Sequence, residues 1–333
     1  MNPATRPFRA ACALSALALA LPVLAQTQTR DPAAGYPNRP VHLVVPFGPG
    51  SGPDIRARQL GQKLAEQWGQ PVVVENRAGA GGRLAMEQVA RGAPDGYTLV
   101  MAGQSAVTIA PHLEKLRYDP LKDFTPVSRT GKGAIVLVVN ADLPVRSVAE
   151  LVDYANRNPG KLNAASWGSA TITHLALELF MRSAGVTITH VPYKSANQAV
   201  AELLAGQVQL AFEFYPAIGA QVKAGRLRAI AVSGRERLPA LPEAPTFAEA
   251  GVREMESVSG WQGVAVPAGT PRGIVDRIQV AVAHALALRD VRASYTESGF
   301  ETVGDTPEEF AAFIKSEHAR WGKLIAEAGI RVD

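Results

Sequence analysis

Short apolar runs alternate with longer amphipathic segments along most of the chain. The run VHLVVPF at residues 41–47 predicts a strand, and the spacing of apolar positions in DIRARQLGQKLAEQWG at residues 54–69 predicts a helix behind it. PVVVEN and YTLVMAG predict two further strands, with GGRLAMEQVARGA as the helix between them. Such alternation favours parallel sheets covered by helices on both faces, and therefore an α/β fold.

The alternation resumes with AIVLVVNA at residues 134–141, which is apolar without interruption, as expected of a strand buried on both faces. The helix SVAELVDYANRNPG follows, with Ser147 as its N-cap and Glu150 at the position of a capping box. The remaining predicted strands are KLNAAS, TITHVPY, VQLAFEF, LRAIAVSG and GWQGVAVPAG, and the remaining predicted helices are THLALELFMRSAG, ANQAVAELLAGQ, PRGIVDRIQVAVAHALALRD and TPEEFAAFIKSEHARWGKLIAEAG.

Two connecting segments divide these elements into two lobes. The chain is expected to leave the first lobe through the segment FTPVSRTGKGAIVLVVN. It is expected to return to that lobe through the segment LRAIAVSGRERLPALPEAPTFAEAG. We therefore predict a discontinuous first lobe formed by residues 41–128 and 235–333, and a second lobe formed by residues 129–234.

The start of the chain has the composition of a secretory signal peptide. Arg6 and Arg9 accompany the apolar run ACALSALALALPVLA, and the segment contains no acidic residue. A membrane anchor would need a longer apolar run, and a lipoprotein would carry a cysteine at the end of the run, whereas Cys12 lies at its start. We predict a signal peptide at residues 1–25, a linker at residues 26–40 and a periplasmic protein.

Composition argues against several classes of function. Charged residues are 19% of the 333 residues, and Arg6 and Arg9 in the predicted signal peptide supply two units of the net charge of +4. The sequence has no basic stripe of a nucleic-acid-binding protein, no His-x-x-x-His pair for a metal and no G-x-S-x-G elbow. We therefore expect neither a cofactor nor catalysis, and we expect His174 and His190 to be core histidines and not general bases.

The loop GPGSGPD at residues 48–54 joins a predicted strand to a predicted helix, an arrangement that often holds an anion. It has neither the Gly-Lys-Ser/Thr ending of a P-loop nor the G-x-G-x-x-G spacing of a dinucleotide site, which favours a carboxylate as the anion. The amides of Gly50, Ser51 and Gly52 would donate to it, unless the loop is an ordinary glycine turn. Asp54 either stabilises the helix dipole or contacts a cationic group of the ligand.

A second loop of this kind, SWGSATITHL, follows the predicted strand KLNAAS and also opens a helix. Ser166, Ser169 and Thr171 offer hydroxyl groups, and Gly168 and Ser169 offer backbone amides. Trp167 is unusual in such a loop, where it would either cover core residues or form a stacking surface for a ligand. Two helix N-termini that face one cleft would hold an anion from both sides.

Eight segments resemble the Bug family, the extracytoplasmic solute-binding receptors of tripartite tricarboxylate transporters. They are spread in order over nearly all of the chain after the predicted signal peptide: YPNRPVHLVVPFGPGSGPDIRARQLGQKL, GQPVVVENRAGAGG, APDGYTLVMAG, YDPLKDFTPVS, HVPYKSANQAVAELLAGQV, AGRLRAIAVSGRERLPALPEAPTFAEAG, VPAGTP and TPEEFAAFI. The resemblance implies a type II periplasmic-binding-protein fold, whose two α/β lobes enclose a ligand. It also implies a monomeric receptor that delivers a small carboxylate to membrane subunits, and that holds it with the two loops, largely through backbone amides and bridging waters.

The chain departs from the family pattern at several positions near the expected cleft. Ser51 replaces the second glycine of a Pro-Gly-Gly motif, Trp167 stands where small or polar residues are usual, and Glu213 and Phe214 stand where the family often has Asp-Asn. Together with Tyr215 and Trp261, these aromatic residues suit a ring or an apolar body more than citrate. Glu213 would repel a second ligand carboxylate placed near it, unless a water or a cation lies between them.

The predicted ligand-binding residues are Phe47, Gly50, Ser51, Gly52, Asp54, Ser105, Ser166, Trp167, Gly168, Ser169, Thr171, Glu213, Phe214 and Trp261. Two other functions stay open at this point. One is a soluble sensor that reports a ligand to a signalling protein. The other is a secreted hydrolase that uses Ser166 and His174.

Overall fold

A computed structural model describes residues 33–332; the predicted signal peptide and residues 26–32 of the predicted linker lie outside this range. The strands are β1 Val41–Val45, β2 Val72–Asn76, β3 Thr98–Gly103, β4 Phe124–Asn140, β5 Asn163–Ser166, β6 Thr189–Pro192, β7 Leu210–Phe214, β8 Leu227–Val232, β9 Ser259–Pro267 and β10 Phe300–Thr302. The helices are α1 Gly52–Trp68, α2 Arg83–Ala90, α3 Val148–Arg157, α4 Ile172–Ala184, α5 Ala196–Leu204, α6 Tyr215–Lys223, α7 Arg272–Ala287, α8 Arg289–Glu297 and α9 Pro307–Ala328. Every element predicted from the pattern has a counterpart among them.

The strands form a mixed sheet in the order β2-β1-β3-β9-β4-β7-β5-β6, with β8 and β10 paired to β4 outside this path. Strand β1 is parallel to β2 and β3, and strand β5 is parallel to β6 and β7. The prediction of parallel sheets is wrong for the middle, where β4 and β9 are antiparallel to their neighbours. A parallel neighbour would require a helical crossover connection. The chain instead enters these two strands directly from the connecting segments, and they therefore run antiparallel to their neighbours.

Strand β4 extends through both halves of the sheet. Up to Ala134 it pairs with β9, and from Ile135 onward it pairs with β7 and β8. The pattern predicted a strand only from residue 134, whereas the observed strand begins at Phe124. The crossing between the predicted lobes is therefore a continuous strand, and the lobe boundaries themselves stay a prediction.

Glycines in the first half of β4 explain why this half lacks a strand-like pattern. A Cβ atom on Gly133 would lie 2.7 Å from the ring of Phe300, and one on Gly131 would lie 2.8 Å from the carbonyl oxygen of Glu301. Strand β10 pairs with this half of β4 through the same residues. Glycine is present because another part of the chain approaches the strand closely.

The second half of β4 confirms the prediction of a strand that is buried on both faces. Ile135, Leu137 and Val139 belong to one apolar cluster, whereas Val136 and Val138 belong to another, and all five side chains are buried. The predicted cap of helix α3 is also confirmed, because the Ser147 hydroxyl accepts a hydrogen bond of 3.2 Å from the Glu150 amide. The Glu150 carboxylate itself accepts from the Arg146 amide.

Helix α6 and strand β10 are not predicted by the pattern. Helix α6 is short and begins with Tyr215 and Pro216, and a Cβ atom on its Gly219 would lie 2.7 Å from the Tyr215 ring. The helix predicted over PRGIVDRIQVAVAHALALRD ends at Ala287, because Leu288 is extended and separates α7 from α8. Over residues 33–332, no helix combines the length and the apolar character needed to cross a bilayer.

Candidate functional site

A cavity of about 160 Å³ lies at the carboxyl ends of the parallel strands in both halves of the sheet. Its volume resembles the roughly 150 Å³ of apolar cavities that hold one benzene-sized molecule. Loops after β1, β2, β3, β5, β6 and β7 all contribute to it, as expected for the ligand sites of α/β proteins. These contributions come from within residues 46–53, 78–82, 103–106, 194–197 and 214–217, and from Trp167.

The first predicted loop lines the cavity, but two of its three amides donate within the protein. The Gly50 amide donates to Asp54 Oδ2 at 2.9 Å, and the Ser51 amide and hydroxyl both donate to the carbonyl oxygen of Gly48. Gly50 has a φ of +76°, a conformation that glycine adopts without strain. Gly52 starts helix α1, where an N–H group has no acceptor within the helix. Its amide is therefore the best placed of the three to bind an anion.

Asp54 organises this loop. Its carboxylate is only 2% exposed, and it accepts hydrogen bonds from the Gly50 amide, from Arg58 Nε at 3.0 Å and from Asn76 Nδ2 at 2.8 Å. Burial acts to raise the pKa of Asp54, but these hydrogen bonds outweigh it and hold the pKa below its usual value. The structure thus gives Asp54 three protein partners and a place behind the cavity lining.

The second predicted loop is held together by its own hydrogen bonds. The Ser166 hydroxyl bonds with the amide and the carbonyl oxygen of Gly168, and the Thr171 hydroxyl donates to the same carbonyl oxygen at 2.7 Å. The Trp167 amide donates to the Thr173 hydroxyl at 3.0 Å. Of the residues predicted in this loop, Trp167 lines the cavity.

The imidazole next to Ser166 is that of His190 and not that of His174. The Ser166 hydroxyl and His190 Nε2 share a hydrogen bond of 2.5 Å, and the rings of His190 and His174 stack with centroids 3.9 Å apart. Burial, followed by the charge of His174, lowers the pKa of His190 to about 4, so its imidazole is neutral at pH 7. Ser166 is fully buried and does not line the cavity, so in this arrangement the hydroxyl that a hydrolase would use is not exposed to a substrate.

Aromatic side chains form one wall of the cavity. Trp167 packs edge-on against Phe47 with ring centroids 5.8 Å apart, and it lies 5.5 Å from Phe214. Phe214 in turn lies 5.5 Å from Phe300. Trp261 also lines the cavity, and it packs against rings of helix α9 on its other side. The wall presents apolar surface to whatever part of a ligand carries no charge.

Glu213 lies behind Trp167 and is fully buried. The indole N–H of Trp167 donates to Glu213 Oε1 at 2.6 Å, whereas Oε2 has no hydrogen-bond partner among residues 33–332. Burial raises the pKa of Glu213 to about 8, although the hydrogen bonds from Trp167 and from the Phe214 amide act against it. The carboxyl group is therefore mostly protonated at pH 7. The repulsion of a second ligand carboxylate, expected from the sequence, requires the ionised form.

Arg56 is a cavity residue that the sequence does not point to. Its side chain is 4% exposed, its Nε donates to Gln262 Oε1 at 2.9 Å, and its guanidinium carbon lies 3.8 Å above the centre of the Phe300 ring. Burial lowers its pKa to about 10, which leaves it charged at pH 7. Nη1 is buried without a hydrogen-bond partner in the described part of the chain.

The helical periodicity of α1 is the feature of the sequence that places Arg56 on the buried face of the helix. The buried positions of this helix include Arg56, Ala57, Leu60 and Leu64, which share one face, whereas the neighbouring Ile55 is 53% exposed. An arginine on the buried stripe behind an anion-type loop is a candidate for ligand contact. Chemical character alone suggests the opposite arrangement, with Ile55 inside and Arg56 in solvent.

The structure brings together one part of the predicted site. The predicted residues that line the cavity are Phe47, Gly50, Ser51, Gly52, Ser105, Trp167, Phe214 and Trp261. The predicted residues that do not line the cavity are Asp54, Ser166, Gly168, Ser169, Thr171 and Glu213. Asp54, Ser166, Thr171 and Glu213 are buried, whereas Gly168 and Ser169 are partly exposed, and a contact of any of the six with ligand stays a prediction.

The charge of the lining is positive. Arg56 and Lys194 belong to it, and among the described residues that form it there is no Asp or Glu. Over residues 33–332, no group of three or more His, Cys, Asp or Glu side chains comes together to hold a metal ion. The chemistry that the lining offers is therefore anion binding beside an apolar wall.

Comparison with known proteins identifies the family. The sequence model of the family described as tripartite tricarboxylate transporter family receptor matches residues 56–330 of this chain. BugT of Bordetella pertussis (strain Tohama I) is 35% identical to this chain over 319 residues, which cover 94% of both proteins. The chain belongs to this receptor family. The resemblance to the Bug family is thereby confirmed.

Solved structures of similar proteins have the fold of this receptor. Rpa4515 of R. palustris, determined with adipate, has a TM-score of 0.85 and 36% identity, and the match covers 89% of this chain and 99% of that one. MatC of Rhodopseudomonas palustris, determined with bound malate, has a TM-score of 0.82 and 33% identity, with coverage of 87% and 100%. The predicted two-lobed α/β fold of a periplasmic binding protein is confirmed.

Proposed function

We propose that this receptor binds one small carboxylate between its lobes, outside the cytoplasm, and delivers it to the membrane subunits of a tripartite transporter. The observation that carries the proposal is the cavity at the carboxyl ends of the strands, whose described lining contains Arg56 and Lys194 but no acidic side chain. Anions bind favourably beside such cations and at helix N-termini. Adipate in Rpa4515 and malate in MatC support a carboxylate as the anion.

The ligand of this receptor carries an apolar, and specifically an aromatic, body beside its carboxylate. Trp167, Phe47 and Phe214 supply the surface on which a ring would pack, and Trp167 is held in place by its hydrogen bond to Glu213. Contacts between aromatic rings contribute about 1 kcal/mol beyond the burial of area. An aromatic acid should therefore bind more tightly than an aliphatic acid of equal charge.

Export through the N-terminal segment and action as a monomer without catalysis complete the proposal. Arg6, Arg9 and the apolar run at residues 11–25 give the N-terminal segment the composition of a signal peptide, which supports export. The burial of Ser166 and its absence from the lining argue against the hydrolase. A sensor would share the same binding event, and the family membership favours transport over it.

Thermal unfolding of the protein that starts at Gln26 tests the proposal. The probes are adipate, malate and benzoate, each matched with the corresponding neutral amide. An acid present at about 100 times its Kd should stabilise the folded state by about 2.7 kcal/mol, and the amide should leave the unfolding temperature nearly unchanged. The proposal is wrong if none of the acids raises the unfolding temperature at millimolar concentration, or if each amide raises it as much as its acid.

A further inference from the structure

The Arg56 guanidinium is a buried cation without an acidic partner in the described part of the chain. The groups around it are neutral: the Gln262 side-chain oxygen at 2.9 Å, the Phe300 ring at 3.8 Å and the Tyr295 ring at 5.9 Å. The arginine two residues further along the same helix behaves differently, because Arg58 is half exposed and pairs with Asp54. The surroundings of Arg56 thus leave its charge without a counter-charge.

Stability of the fold does not explain an arginine at this position. A buried charge is unfavourable unless a counter-ion and hydrogen bonds compensate it, and an apolar side chain of similar length usually costs less. The neighbouring positions on the buried stripe, Ala57, Leu60 and Leu64, are apolar as expected. A group from outside the chain is the remaining source of compensation.

The position of Arg56 directs its free nitrogen to the predicted anion loop. A Cβ atom on Gly52 would lie 3.3 Å from Arg56 Nη1, so this nitrogen lies close to the first residue of helix α1. Gln104, which is 3% exposed, lines the same cavity, and both atoms of its side-chain amide are buried without a partner among residues 33–332. Two residues that line one small cavity therefore carry buried polar atoms with unused hydrogen-bonding capacity.

We infer that Arg56 is a specificity-determining residue, whose Nη1 pairs with a carboxylate oxygen of the ligand beside the Gly52 amide. The inference rests on the proposed function. Guanidinium and carboxylate groups match in charge and in planar geometry, and such pairs are stronger than hydrogen bonds between neutral groups. Backbone amides and waters, the contacts that the family resemblance implies, carry no net charge. Arg56 therefore adds a fixed positive charge that selects a carboxylate over its neutral analogue.

Calorimetry on Arg56→Met tests the inference, with the tightest-binding acid of the panel adipate, malate and benzoate and with its neutral amide. Loss of one partner from a buried charge pair weakens binding strongly, and the affinity for the acid should fall about a hundredfold. The affinity for the amide should change less than threefold. Arg56→Lys, which keeps the charge but not the planar fork, should give an intermediate affinity.

Arg91→Met is the matched control, because it removes the same charge from an exposed side chain at the end of helix α2 that pairs with Glu87. Its affinity for the acid should equal that of the wild type. Thermal unfolding without ligand separates ligand contact from a structural role. Ligand-free Arg56→Met should unfold at the temperature of the wild type or above it, because an uncompensated buried charge is removed.

The inference is overturned if folded Arg56→Met binds the acid with an affinity within threefold of that of the wild type. It is also overturned if the ligand-free variant unfolds well below the temperature of the wild type and its affinities for the acid and for the amide fall equally. In both cases the wild type still binds the acid and the proposed function stands. If the wild type itself binds none of the acids, the proposed function fails and the inference fails with it.

Discussion

Trp167 and Glu213 illustrate how one buried hydrogen bond sets the properties of a binding surface. Trp167 contributes to the aromatic wall, and its indole N–H donates to a carboxyl group that has no other side-chain partner within the described residues. Such a carboxyl group is tolerated in its neutral form, since ionisation would place a charge in an apolar environment. Protonated Glu213 therefore holds the tryptophan without adding negative charge near the ligand.

This arrangement predicts a specific pH dependence of stability. The folded-state pKa of Glu213 is about 8, whereas an unperturbed glutamate has a pKa of 4.5. Between these values Glu213 holds more of its proton in the folded state than in the unfolded state, so the contribution of this group to the free energy of unfolding falls as the pH rises through this window. Glu213→Gln, which keeps the acceptor oxygen for Trp167, should remove this decrease.

Urea unfolding of the wild type and Glu213→Gln at pH 5, 6, 7 and 8 measures the effect. The wild type should lose stability relative to the variant by up to about 1.4 kcal/mol per pH unit. Parallel stability curves for the two proteins would contradict the raised pKa. The Asp54 carboxyl group, whose pKa is lowered, adds a separate loss of stability only at acidic pH.

At the scale of single residues, the sequence predicts loop residues better than it predicts side chains on helices. The glycines and the tryptophan at strand ends are visible because their residue types are unusual there, and Gly52 and Trp167 indeed line the cavity. Arg56 is hidden because its type suggests exposure, and only the helical stripe that it shares with Leu60 and Leu64 places it inside. Hydrogen bonds such as that between Ser166 and His190 depend on the pairing of β5 with β6, which no local pattern contains.

Strand β10 shows at the scale of elements how the fold supports the cavity. This short strand pairs with the glycine-rich half of β4, and its Phe300 packs against Arg56 and Phe214. Gly133 leaves the space that the Phe300 ring occupies. A side chain at position 133 would therefore displace a residue of the cavity lining.

Gly133→Ala should destabilise the folded state by about 1–3 kcal/mol, the usual cost of overpacking a buried site. The added Cβ atom would lie 2.7 Å from the Phe300 ring, well inside van der Waals contact. Gly48→Ala is the control, since a Cβ atom there would meet no atom within 4 Å, and its stability should change by less than about 0.5 kcal/mol. Urea unfolding measures both variants, and equal stabilities would contradict the packing described for β10.

Elements were predictable where one periodicity extended over a whole segment. The uninterrupted apolar run of β4 and the capped helix α3 are of this kind, and both are confirmed. The first half of β4 was not predictable, because Gly131 and Gly133 respond to the approach of β10 and not to a local preference. The order of the strands, with β9 between β3 and β4, likewise depends on contacts between distant parts of the chain.

At the scale of the whole molecule, contacts cross the cavity between the two predicted lobes. The Ile172 amide at the start of helix α4 donates to the Ser105 hydroxyl at 3.1 Å. Arg83 Nη1 donates to the Ser169 carbonyl oxygen at 3.4 Å, and the rings of Phe47 and Trp167 meet edge to face. These contacts join the two predicted lobes, so a ligand in the cavity would be enclosed from both sides.

Opening of the lobes should accompany ligand exchange, because a ligand enclosed in this way has to enter and leave. Small-angle scattering should therefore give a smaller radius of gyration with a saturating acid than without ligand. The control is the same protein with the matching neutral amide, which should leave the radius unchanged. An equal radius with and without the acid, at a concentration that saturates the calorimetric signal, would argue for a preformed and rigid cavity.

The central claim, that the interlobe cavity is a site for one small carboxylate, is tested most directly by a calorimetric titration. The protein starting at Gln26 is titrated with the acid that raises its unfolding temperature most, and then with the neutral amide of that acid. The account predicts a single site with a stoichiometry of one acid per chain and at least a hundredfold weaker binding of the amide. Equal affinities for the acid and the amide would contradict it, and so would a stoichiometry different from one acid per chain.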